Sequence, residues 1–235
     1  MPSYKRIGLV LGVLIFSFLF TNVGNGGIDV WSTTGPYGQK FMAVAINPLD
    51  QNLIYATSPD GPINIIKSFN GGTSWQASDS GIPDNAEMCR GDCFVFDPDD
   101  PAILYVGSTG GIFKSINSGE TWNSIGFIYE DDEQKVIRAW SLAISPMDGT
   151  LYAGGYGFLF GGDAGGGLYR SIDRGTTWER LTNGVPTDPT FYDIVVAPSA
   201  PYIMYAGGTA GIYMSLDSGD TWQGIHSGFL VAPNV

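Results

Sequence analysis

The sequence is poor in the residues that most catalytic and metal-binding sites use. It holds one histidine, His226, two cysteines and eleven basic residues among 235. A single histidine and two cysteines, Cys89 and Cys93, are too few ligands for a zinc site, so no metal cofactor is expected. No G-x-S-x-G segment is present, which removes the usual serine-nucleophile turn. No D-x-D-x-D-G calcium loop occurs either. Two of the basic residues, Lys5 and Arg6, precede an apolar N-terminal run; the rest of the chain sets nine basic against 23 acidic residues, a net of −14. A surface so acidic repels phosphate backbones and anionic lipid, so neither nucleic acid nor a membrane surface is an expected partner. Charged residues make up only 14% of the chain, against about 25% in an average domain.

Glycine and aromatic residues fill the space left. There are 34 Gly, 6 Trp, 12 Tyr and 13 Phe. Many turn-formers with many large rings suit short strands joined by tight hairpins. The N-terminus has Lys5 and Arg6, then an apolar run over 7–20 and small polar residues to 27. That pattern reads as a signal peptide over 1–27, with an uncleaved anchor as the alternative. The run is shorter than the ~20 residues of a membrane span. The expectation is a secreted or periplasmic protein, in which Cys89 and Cys93 close a small disulfide loop.

Internal repetition is the strongest feature. The segment Ser68-Phe-Asn-Gly-Gly-Thr-Ser-Trp75 recurs as Ser115-Ile-Asn-Ser-Gly-Glu-Thr-Trp122, Ser171-Ile-Asp-Arg-Gly-Thr-Thr-Trp178 and Ser215-Leu-Asp-Ser-Gly-Asp-Thr-Trp222. The tryptophans stand 47, 56 and 44 residues apart. Each copy follows an apolar strand ending at a proline (Pro48, Pro98, Pro146, Pro198), a strand centred on a tyrosine (Tyr55, Tyr105, Tyr152, Tyr205) and a third strand that runs into the serine. With a fourth strand opening at the tryptophan, each unit is a four-stranded antiparallel blade.

These residues resemble the BNR or Asp-box repeat proteins, a group that includes sialidases, xyloglucanases, sortilin-like receptors and photosystem II assembly-factor propellers. The resemblance covers about 200 residues and implies an all-β β-propeller. Blades are expected near 41–80, 93–125, 136–182 and 192–226, with a lone strand at 28–34. Only 13 residues follow Trp222, and Ser227-Gly228-Phe229 matches the linkers Ser80-Gly81-Ile82 and Asn183-Gly184-Val185. The expectation is a fragment of a larger propeller. Within each box, Asn70, Asn117, Asp173 and Asp217 are expected to bond turn N–H groups. Gly72, Gly119, Gly175 and Gly219 are expected at positive φ, and Trp75, Trp122, Trp178 and Trp222 in packing. Ser68, Ser115, Ser171 and Ser215 belong to the same scaffold. Asp173 and Asp217 are therefore not read as catalytic.

Strand alternation puts the proline turns and the boxes on one face and leaves the variable loops on the other. The variable face is the functional candidate. It would hold Asp60, the linker with Cys89-Arg90-Gly91-Asp92-Cys93, the acidic link 126–136 and the long hairpin 154–167. Tyr156, Phe158, Phe160 and Asp163 in that hairpin could stack on sugar or peptide, or fold inward as a plug. Arg90 and Asp92 resemble a constrained RGD ligand, though a plain loop staple is the simpler reading. Glu130, Asp131, Asp132 and Glu133 are a weak calcium candidate beside the simpler reading of a solvated acidic surface.

The expected function is a non-catalytic, exported binding or assembly module for a carbohydrate or protein ligand, with no cofactor. The alternative is a glycoside hydrolase. A sialidase-like site needs an arginine cluster, yet Arg170, Arg174 and Arg180 lie at or beside a box, which leaves Arg90 and Arg138. A xyloglucanase-like site needs two opposed carboxylates, for which Asp60 and Asp163 are the candidates. An acidic surface also argues against a photosystem assembly role.

Overall fold

A computed structural model describes residues 40–58, 65–83, 94–108, 110–130, 133–155, 166–186 and 189–225. The chain divides into two compact units, Met1–Thr33 and Thr34–Val235, and every described residue belongs to the second. That unit is all-β and has the β-propeller architecture, with four four-stranded antiparallel sheets. The first blade holds β1 (Ala43–Ile46), β2 (Ile54–Thr57), β3 (Ile65–Ser68) and β4 (Gln76–Ala77). The second holds β5 (Phe94–Phe96), β6 (Leu104–Ser108), β7 (Gly111–Ser115) and β8 (Asn123–Ser124). A two-stranded hairpin follows, β9 (Phe127–Glu130) with β10 (Glu133–Val136). The third blade holds β11 (Ala139–Ile144), β12 (Leu151–Gly155), β13 (Gly167–Ser171) and β14 (Glu179–Leu181). The fourth holds β15 (Phe191–Val196), β16 (Met204–Gly208), β17 (Gly211–Ser215) and β18 (Gln223–Gly224).

The eight-residue box is a self-contained hydrogen-bonded turn. In the second blade the Ser115 hydroxyl accepts from the Gly119 N–H at 2.8 Å and donates to Asn117 Oδ1 at 2.8 Å, and Asn117 Oδ1 accepts from Thr121 N–H at 3.0 Å. The third and fourth blades repeat this with Asp173 and Asp217, each of which also accepts a threonine hydroxyl at 2.6 Å. The box glycines have φ of 86, 79, 91 and 88°. The residue before each is left-handed too, and three of these are not glycine: Ser118, Arg174 and Ser218. A left-handed non-glycine residue costs about 1–2 kcal/mol. Its carbonyl faces the preceding blade, and there it is used.

Blades pack face to face in one repeated way. Tyr55, Tyr105 and Tyr152 are buried and lie in three successive clusters with residues of the following blade. Full burial of a side chain this large contributes roughly 1.5–3 kcal/mol. Tyr55 donates its hydroxyl to the Ser118 carbonyl at 2.9 Å, and Tyr152 donates to the Ser218 carbonyl at 2.9 Å. The cross-strand neighbour of each tyrosine is a cation aimed at the same kind of carbonyl. Lys67 donates to Ser118 at 2.9 Å, Lys114 to Arg174 at 3.2 Å and Arg170 to Ser218 at 3.0 Å. Burial pushes the Tyr152 hydroxyl up to about 12, so it stays a donor across the physiological range.

The linkers Ser80-Gly81 and Asn183-Gly184 clasp the next blade. The main-chain N–H of Trp122 donates to Ser80 and that of Trp222 to Asn183, at 2.8 and 2.9 Å. Between the second and third blades the clasp is replaced by the β9–β10 hairpin, and Trp178 Nε1 donates to the Ile125 carbonyl at 2.8 Å. The stretch 126–136, expected as an acidic link, is thus a hairpin. The pairing of Phe127 with Val136 and the burial of Ile128 fold it.

Two of the boxes should be sensitive to acid. Partial burial opposes the charge on Asp173, but the Thr177 hydroxyl and main chain outweigh it and hold the carboxyl below its ordinary value. The Thr221 hydroxyl does the same for Asp217. A depressed folded-state pKa adds stability that is present above the unfolded value and lost as pH falls through about 4. Wild-type protein should therefore lose more of its urea midpoint between pH 7 and pH 3 than Asp173→Asn/Asp217→Asn, which copies the Asn boxes of the first two blades. Equal losses in both would refute the assignment.

Candidate functional site

The first strand of each blade runs from the variable face toward the proline turn. In the third and fourth blades this strand begins with an irregularity. The β11–β12 register shifts between Ala139 and Ser141, and the β15–β16 register between Phe191 and Asp193. The extra residues are Trp140 and Tyr192. A bulge leaves one residue outside the ladder and re-aims its side chain. Here both bulges release aromatics at the same offset, six residues before Pro146 and Pro198. The rings meet with centroids 5.7 Å apart and planes at 47°. Trp140 is half-buried and Tyr192 is 52% exposed. Ala139 and Phe191, the residues just before the two rings, are fully buried.

Polar residues lie close to the rings along the chain. Arg138, two residues before Trp140, is half-buried, and Asp193, directly after Tyr192, is exposed. The β9–β10 hairpin leads directly into Arg138, and Ile137 N–H donates to the Gly126 carbonyl at 2.8 Å, which seats the hairpin base. Tyr129 on this hairpin is exposed. The turn after β16 packs onto the start of β15, with Thr209 N–H donating to the Thr190 carbonyl at 2.9 Å. The result is an aromatic pair that reaches the surface at the start of two successive blades. Such a surface can stack on the C–H face of a sugar ring or on a planar side chain.

Three arginines are engaged in the scaffold. Arg170 pairs with Glu179 at 2.7 Å and Asp220 at 2.6 Å. Arg174 pairs with Asp97 at 3.1 Å and with Asp99. Arg180 donates to the Gly166 carbonyl and lies 5.6 Å from the Tyr169 ring centre. Tyr156, Phe158, Phe160, Asp163, Asp60, Arg90, Asp92, Cys89, Cys93, Asp131 and Asp132 lie outside the described residues, as does the strand 28–34. Glu133 is exposed, and among the described residues no cluster of three or more His, Cys, Asp or Glu could hold a metal. The Trp140–Tyr192 pair escaped the sequence reading. Its one signal was an aromatic at the same distance before the proline in two successive blades.

No protein-family model matches the chain. A xyloglucanase of Paenibacillus sp is 28% identical over 215 residues, which cover 77% of this chain and 20% of the relative. The chain therefore spans about a fifth of that relative's length. An ancestral GH74 enzyme superposes with a TM-score of 0.63 at 23% identity, over 86% of this chain and 25% of the other. An extracellular domain from B. thetaiotaomicron superposes at 0.56 with 20% identity, over 85% and 23%. These likenesses establish the β-propeller fold.

Proposed function

We propose that the chain is an extracytoplasmic binding module for a polysaccharide, which it holds on the face opposite the boxes. The observation that carries this reading is the Trp140–Tyr192 pair, presented by two successive bulges. The exposed ring pair offers stacking. Similarity to a xyloglucanase makes a xyloglucan-type β-glucan the first ligand to test. That similarity also supports a second reading, a glycoside hydrolase, whose carboxylates would be Asp60 and Asp163.

Calorimetry with xyloglucan oligosaccharides separates these. Base- or sugar-to-ring stacking is worth about 1–3 kcal/mol per ring, so Trp140→Ala and Tyr192→Ala should each weaken binding roughly tenfold. Both side chains reach the surface, so the thermal midpoint should stay near that of wild type. Unchanged affinity in both variants would remove the ring pair from the ligand site. Release of reducing ends by wild type, lost in Asp60→Asn or Asp163→Asn, would establish the hydrolase instead.

A further inference from the structure

Asparagine followed by glycine is the pairing in which a side-chain amide is most open to attack by the main chain, because glycine leaves its own nitrogen unshielded. The dipeptide occurs at Asn25-Gly26, Asn70-Gly71 and Asn183-Gly184. The first lies outside the described residues. The other two stand in opposite settings.

Asn70 is locked inside the first box. Its Oδ1 accepts from the Ser68 hydroxyl at 3.0 Å and the Ser74 N–H at 2.8 Å, and its Nδ2 donates to the Ser74 hydroxyl at 2.9 Å. The Gly71 N–H donates to the Asn52 carbonyl at 3.1 Å. Both groups that would have to meet are held elsewhere.

Asn183 stands in the clasp between the third and fourth blades. It is exposed, as is Gly184. A turn closed from Val185 N–H to the Thr182 carbonyl at 3.4 Å puts the pair at its two central positions, with Gly184 at φ of 78°. The Asn183 main-chain carbonyl accepts from Trp222 N–H at 2.9 Å. Among the described residues, no group bonds the Asn183 carboxamide and none accepts from the Gly184 N–H. The matching clasp, Ser80-Gly81, carries a serine and has no amide to lose.

We infer that Asn183-Gly184 is a site of spontaneous deamidation, at which the folded protein converts this clasp into a mixture of aspartyl and isoaspartyl linkages. The Gly184 nitrogen gives up its proton to base and attacks the side-chain carbonyl carbon of Asn183. The new C–N bond closes a cyclic imide, the bond to Nδ2 breaks, and ammonia leaves. Water then opens the imide at one of its two carbonyls. One opening gives aspartate in an unaltered main chain. The other routes the main chain through the former side chain and lengthens it by one methylene. The carbonyl that Trp222 N–H uses then becomes a free carboxylate outside the chain path. The linker has no room for the extra length at this point, since a Cβ on Gly184 would already lie 1.9 Å from the Trp222 carbonyl oxygen. The fourth blade is thereby loosened from the third, and the change is irreversible.

Ageing of folded protein at pH 8 and 37 °C, followed by digestion and mass spectrometry, tests this. Asn183 should convert at least tenfold faster than Asn70, because small misplacements of reacting groups cost that much. Isoaspartate should appear at 183. In urea, where both dipeptides are free, the two should convert at similar rates. The thermal midpoint of aged wild type should fall below that of fresh protein, while Asn183→Gln should keep its midpoint through the same treatment. Asn70 converting as fast as Asn183 in the folded protein, a rate difference that persists in urea, or an Asn183→Gln variant that ages like wild type would each overturn the proposal.

Discussion

Gly184→Ala is expected to destabilise the protein by about 3–5 kcal/mol, near the upper end of what one substitution does. Gly184 has φ of 78°, and an added Cβ would lie 1.9 Å from the Trp222 carbonyl oxygen. The obstacle is main chain, so no rotamer change relieves it. Moving the linker away would break the bond from Trp222 N–H to the Asn183 carbonyl and loosen the packing of the third blade on the fourth. Gly207→Ala is the internal control: the site has open space and ordinary φ, so its effect should stay within about 0.5 kcal/mol. Urea unfolding followed by tryptophan fluorescence reads both. Similar midpoints for the two variants would show that the clasp does not hold the blades.

Asp97→Ala should cost about 2–3 kcal/mol, because it removes a buried carboxylate that accepts from two main-chain N–H groups and faces a partly exposed arginine. Asp97 is fully buried at the proline turn of the second blade. Its Oδ1 accepts from the Asp99 and Asp100 N–H groups at 3.0 and 3.4 Å, while its Oδ2 lies 3.1 Å from Arg174 of the next blade. One carboxylate thus shapes a turn and joins two blades. Without it, Arg174 and Lys114 would lose the counter-charge between them. The Asp99 and Asp97 carboxylates raise the Arg174 pKa. Asp99→Ala removes a partner that is mostly in water and should cost under about 1 kcal/mol. If the two substitutions proved equal, the burial of Asp97 would not be what gives it weight.

The boxes were readable because their hydrogen bonds close within eight residues. Ser115, Asn117, Gly119 and Thr121 satisfy one another, so the motif specifies the turn wherever it occurs. Repetition of that turn then implied blades and marked Asp173 and Asp217 as scaffold. The same locality showed that Arg170 and Arg174 sit in structural positions, although Asp97, Asp99 and Asp220 could not be named as partners. The stretch 126–136 was legible as an acidic link but not as a hairpin, because its pairing rests on Phe127, Ile128 and Val136, which no repeat in the other blades marks.

By itself the sequence determined the all-β repeat architecture, the blade-by-blade strand order and the structural duty of the box residues, since each depends on neighbours close along the chain. The tertiary structure alone decided which residues meet across blades. Trp140 and Tyr192 stand 52 positions apart, and their contact depends on two bulges that strand alternation does not reveal. The left-handed carbonyls of Ser118, Arg174 and Ser218 acquire their role only from tyrosines and cations of the preceding blade. Such contacts arise from how one sheet is set against the next, and no local pattern of residues encodes that placement.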